Sequence, residues 1–131
     1  MEDKDVTSID QHKPRFWGYV GPEQVMEDLE NGLAYIRQHG WCQGSLTNVE
    51  GNVCAVGGIM QPIQREITTI WLGWSHYPEH ADRIAEARHC LNQKVKELTG
   101  LPDMSIEVYN DSPTRTVEDI EALFEKTLAD F

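Results

Sequence analysis

Thr116-Val117-Glu118-Asp119-Ile120-Glu121-Ala122-Leu123-Phe124-Glu125-Lys126-Thr127-Leu128-Ala129-Asp130-Phe131 is the stretch that decides the fold class. Ile120, Leu123, Phe124, Leu128 and Phe131 recur at helical spacing and mark one apolar face. Thr116 suits the N-cap, and Asp119 three residues later pairs with it as in a capping box. Glu118, Asp119 and Glu121 load the positive end of the helix dipole. The first helix expected upstream opens at Gly21-Pro22-Glu23, where proline's missing N–H costs nothing. Met26, Leu29, Leu33 and Ile36 form its stripe, Gly40 suits a left-handed cap, and Trp41 folds back on its last turn. A third helix carries Ile84, Ala87, Leu91, Val95 and Leu98, and is closed by Gly100 and Pro102.

The segments between these helices are less regular. Residues 42–53 are loop-like, with Gly44, Asn48, Gly51 and Asn52 as turn residues. Cys54-Ala55-Val56-Gly57-Gly58-Ile59-Met60 reads as a short buried helix, limited by Pro62. Ile63, Ile67, Ile70, Trp71 and Trp74 keep helical spacing, although Ile67–Leu72 is rich in strand-favouring residues; helix is preferred. Ser105-Ile106-Glu107-Val108-Tyr109 alternates polar and apolar, which predicts a short strand or extended link. Asn110-Asp111-Ser112-Pro113 predicts a turn. The expected fold is mainly α: a small helical domain of about four helices, with room for one short strand pair. An α+β arrangement is the alternative. The domain spans 21–131 and follows an N-terminal arm, residues 1–20, whose Phe16-Trp17-Gly18-Tyr19-Val20 docks on it.

The chain has 131 residues, 40% of them apolar and 25% charged, which is the composition of one globular domain. No apolar run is long enough to cross a membrane as a helix, and the charged N-terminus is not a signal peptide. Eleven basic side chains against 22 acidic ones leave a net charge of −11. That disfavours direct binding to nucleic acid or to anionic membrane, both of which need a basic face. It favours a partner with a basic surface, and solubility is the competing explanation. Three widely spaced cysteines, Cys42, Cys54 and Cys90, do not make a disulfide framework. Reduced thiols in a cytoplasm are the expectation.

Candidate sites are few. Asn110, Asp111, Arg115 and Thr116 sit where a turn meets a helix N-terminus, and would suit a small, nucleotide-like anion. The competing reading is a structural turn in which Arg115 bonds an internal acid. Glu23, Glu27, Asp28 and Glu30 form an acidic face, joined by residues 118–130, that would meet a basic partner. Trp71 and Trp74, if helical, share a face and would anchor that partner; core packing competes with this reading. Cys54 at a helix start would be a thiol nucleophile if a base such as His39 or His89 neighbours it. No cysteine–histidine spacing makes a metal site, since tight Cys-x₂₋₄-Cys pairs are lacking and Pro78 interrupts His76-Tyr77-Pro78-Glu79-His80. The glycines of 51–58 lack the Lys-Ser/Thr of a phosphate loop and the dinucleotide-binding spacing. No cofactor is expected.

Gly40-Trp41-Cys42-Gln43-Gly44, then Cys54-Ala55-Val56-Gly57-Gly58-Ile59, then Tyr109-Asn110-Asp111-Ser112-Pro113-Thr114-Arg115-Thr116 together resemble an uncharacterised family of small proteins from actinobacteria and their phages. That family's pattern is Gly-Trp-x-x-Gly, Cys-x-x-Gly-Ala, and aromatic-Asn-Asp-x-Pro-Gly-Arg-Thr opening the last helix. The resemblance spans roughly residues 25–128, with an unmatched middle around 62–78. Thr114 stands where the family has Gly, and Gly58 where it has Ala. The resemblance implies a mostly helical small domain and a phage origin, with no activity to transfer. The functional expectation is a non-enzymatic interaction protein, a phage accessory factor that binds a host protein in the bacterial cytoplasm. A small-anion binder using the 110–116 turn and a thiol enzyme centred on Cys54 are the alternatives. A homodimer is compatible with the sequence.

Overall fold

The computed structural model describes residues 20–69 and 73–131, side chains at 67–69 and 73–79 excepted. Among these residues five helices follow in order: α1 (Pro22–His39), α2 (Ala55–Thr69), α3 (Gly73–Thr99), α4 (Ile106–Asp111) and α5 (Val117–Ala129). The domain is mainly α. Among the described residues, β pairing is limited to two isolated bridges, Trp41 with Val53 in parallel and Thr47 with Val53 antiparallel. Val20 packs against the core. The rest of the arm expected over 1–20, and Trp71, lie outside the described residues.

α1 packs on α2, α2 on α3, and α5 on both α3 and α1. α1 buries Val25, Leu29, Leu33 and Ile36, so its stripe begins at Val25; Met26 is only half-buried. The Gly40 N–H closes the helix on the Ile36 carbonyl at 2.8 Å. Gly40 has φ +93° and ψ 160°, an extended mirror conformation that is essentially glycine's alone, not the left-handed helical cap expected. α3 turns Ala87, Leu91 and Val95 inward, and α5 turns in Ile120, Leu123 and Phe124. The ends of both predicted stripes, Leu98 and Phe131, are exposed.

The expected stop at Pro62 does not occur: α2 runs through it to Thr69. Pro62 has no N–H to offer the Gly58 carbonyl four residues back. Packing carries the helix across that gap, because Ile59 and Ile63, on one face either side of the proline, are both buried. Gly32 and Gly58 face each other where α1 and α2 meet. A Cβ on Gly32 would stand 3.4 Å from the Gly58 carbonyl, and one on Gly58 would stand 2.7 Å from Ile36 Cγ1.

The short strand predicted at 105–109 and the turn beginning at Asn110 are corrected to a helix, α4. Ser105 caps it, its Oγ accepting the Val108 N–H at 3.2 Å. Ile106, Tyr109 and Asn110 are its buried residues. Their spacing of three and four lies on one helical face, and an extended segment with no neighbouring strand would leave its backbone groups unpaired. α5 starts as expected, with both halves of the Thr116–Asp119 capping box formed.

Candidate functional site

The loop after α1, the N-terminus of α2, and α4 meet at Asn110. Its side chain is buried and its hydrogen-bonding capacity is fully used. Asn110 Oδ1 accepts the Trp41 indole N–H at 2.7 Å and the Ala55 backbone N–H at 3.0 Å. Nδ2 donates to the Cys42 carbonyl at 3.2 Å and to Asp111 Oδ1 at 3.0 Å. One carboxamide thereby satisfies a first-turn amide of α2, fixes the indole, and holds the loop. Gln43 closes the other end of the junction: its Nε2 donates to the Asn110 and Ser112 carbonyls, at 2.9 and 2.8 Å.

Asp111 Oδ1 also accepts the Gly44 N–H at 3.0 Å. That backbone bond, with the Asn110 amide, holds the Asp111 carboxyl below the ordinary carboxylate range. Arg115 turns back on its own chain. Its Nε donates to the Tyr109 carbonyl at 2.8 Å, and its guanidinium stacks over the Tyr109 ring at 3.6 Å from the centroid. Thr116 is occupied by the capping box. The four residues singled out at 110–116 are thus brought close together, and each is engaged within the fold.

Beside this junction lies a cleft of about 220 Å³, lined by Gly44, Leu46, Cys54, Val56, Glu107 and Asp111 among others. Arg115 is not among its lining residues. Its charged groups are carboxylates, the wrong sign for an anion. Glu107 is held by Arg88 through two bonds of 2.7 and 3.0 Å. Cys54 is the N-cap of α2, its sulfur accepting the Gly57 N–H at 3.3 Å. Burial pushes the Cys54 thiol up, outweighing the backbone amides that lower it. A protonated thiol at neutral pH is a poor nucleophile.

The acidic face divides. Glu23, Glu27 and Glu30 are exposed on α1 at spacings of four and three. Asp28, expected beside them, is corrected to a core position: it is 1% exposed. Arg83 reaches it from α3 with Nε and Nη2 at 3.1 and 2.7 Å, and also grips Glu66 with two bonds of 2.9 Å. The Arg83 hydrogen bond holds the Glu66 carboxyl down against the opposing effect of burial. No periodicity distinguished Asp28 from its neighbours; its only signal was its place three residues from Val25 and four before Gly32, on the buried side. On α5, Glu121 and Glu125 bind Arg37 at 3.3 and 2.8 Å, while Glu118 is exposed. Trp74 falls within α3, but its side chain, like Trp71, lies outside the described residues.

Among the described residues, no group of three or more His, Cys, Asp or Glu is placed to hold a metal ion, and no helix is long and apolar enough to cross a membrane. A family model described as "Family of unknown function (DUF6197)" matches residues 21–130. No curated protein and no solved structure matches the chain.

Proposed function

The chain belongs to this family of unknown function, and from that premise we propose that it is a non-enzymatic interaction protein that binds a basic partner surface through the outer face of α1. The observation that carries the reading is how the charges are sorted. Arg37, Arg83, Arg88, Lys94 and Arg115 all face carboxylates of their own chain. Glu23, Glu27 and Glu30 face no cation among the described residues, and they share one helical face. Those five cations are used internally, the exposed Lys96 and Lys126 lie on α3 and α5, and the acidic stripe of α1 is presented outward uncompensated. Such a stripe speeds encounter with a positive surface and does so most at low salt. The actinobacterial and phage resemblance supplies the setting: an accessory factor in a bacterial cytoplasm whose partner is a host protein. The engagement of Asn110, Arg115 and Thr116 within the fold, and the protonated Cys54, support this reading over an anion binder or a thiol enzyme.

The test is capture from host lysate by the wild-type chain and by a Glu23→Lys/Glu27→Lys/Glu30→Lys variant of unchanged helicity. A partner retained by the wild type, lost by the variant and released as salt rises is the expected result. Retention that ignores both salt and the substitutions overturns the proposal.

A further inference from the structure

We propose that Cys42 and Cys54 are a redox pair, closing to a disulfide that staples the loop between α1 and α2. The inference starts from the backbone. Val53 N–H donates to the Gly40 carbonyl at 2.9 Å and Cys42 N–H to the Val53 carbonyl at 3.0 Å, which makes the parallel bridge between Trp41 and Val53. Paired strands run about 4.8 Å apart. Cys42 and Cys54 each stand one residue past a bridged residue, in the same chain direction. Side chains alternate along extended backbone, so both thiols fall on the side opposite Trp41 and Val53. A disulfide bridges Cα atoms about 4.4–6.8 Å apart, and neighbouring strands meet that requirement.

The side chains agree with this placement. Cys42 Sγ lies 3.5 Å from the Asn52 carbonyl, two residues before Cys54. Both thiols are buried and free, and burial pushes both up. The negative charge of one raises the other further, as expected of neighbours. Cys54 also lines the cleft beside Gly44 and Leu46, which gives an oxidant a way in.

A low-molecular-weight disulfide such as glutathione disulfide is a sufficient oxidant. The Cys54 thiolate attacks one of its sulfurs, forms a mixed disulfide and releases one glutathione thiolate. The Cys42 thiolate then attacks the Cys54 sulfur and expels the second. Two protons and two electrons leave the protein, and two glutathione molecules are the reduced product. Because both thiols are raised, pairing is slow at neutral pH and quickens as pH increases.

The sequence makes the readout direct. Arg37 and Arg65 flank a stretch without lysine or arginine, so trypsin releases Cys42 and Cys54 on one peptide, 38–65, while Cys90 falls on peptide 89–94. The folded full-length chain is incubated with glutathione disulfide, alkylated, and mapped without reduction. The expected result is a peptide 38–65 lighter by two hydrogens and unalkylated, an alkylated Cys90, and a higher Tm that dithiothreitol reverses. In Cys42→Ser the reaction stops at a glutathione adduct on Cys54. A linkage through Cys90, a lasting glutathione adduct on the wild type, or a fully alkylated peptide 38–65 overturns the proposal.

Discussion

At the scale of single residues, Asn110 matters most. It bonds Trp41 and Ala55, 69 and 55 positions away in the chain, so its loss is felt by three segments at once. Asn110→Ala leaves the buried Ala55 amide and the half-buried Trp41 indole without their acceptor. Each unsatisfied buried group costs about 1–3 kcal/mol, so a loss of roughly 2 kcal/mol or more is expected, read as a lower urea midpoint at unchanged slope. A shift under about 0.5 kcal/mol, the range of ordinary surface substitutions, contradicts the role given to this side chain. The sequence marked Asn110 as notable, but for the wrong reason. Asparagine near a proline is turn chemistry as often as anything else, and only the fold reveals that its partners lie at residues 41, 42 and 55. Asp28 was misplaced for a related reason. A carboxylate in a run of carboxylates looks solvated until the arginine that meets it, Arg83, is brought in from another helix.

At the scale of elements, α1, α3 and α5 were legible because each is long enough for the three-and-four spacing to repeat. α4 was not. In six residues, alternation and helical spacing both fit Ile106, Val108 and Tyr109, and the absence of a partner strand is invisible in sequence. The extent of α2 was hidden by Pro62, whose local cost is plain while the burial of Ile59 and Ile63 that offsets it is not. The start of α2 makes a sign test. Helix propensity alone favours Gly57→Ala by about 1 kcal/mol. A Cβ there would instead run into the Leu46 carbonyl, which is already accepting the Cys54 N–H at 3.1 Å. The loop must shift to admit it, and overpacking of this kind costs about 1–3 kcal/mol. Gly57→Ala is therefore expected to lower Tm; a rise would mean that the loop yields freely.

At the scale of the whole molecule, three carboxylates among the described residues titrate below their ordinary range: Glu66 through Arg83, Asp111 through the Gly44 amide, and Glu107, where Arg88 and a backbone bond together overcome burial. A carboxyl that is more acidic folded than unfolded adds stability above its unfolded value, and that stability is lost as pH falls through the folded one. Urea midpoints from about pH 7 to about pH 3 should hold steady and then drop through and below the ordinary carboxylate range. A flat profile there would deny that these pairs hold the fold. The junction at Asn110 has a further consequence, in time rather than energy. Synthesis is vectorial, and the residue that latches the α1–α2 connection is made 55 residues after the amide it must accept. At about 5–20 residues per second, that amide waits roughly 3–11 seconds for its partner. Once Thr69 is made, the nascent chain holds the whole of the α1 and α2 segments joined by a loop that still lacks its Asn110 latch. Anything that acts on the chain during synthesis therefore meets Trp41, Cys42 and Cys54 before the native junction exists.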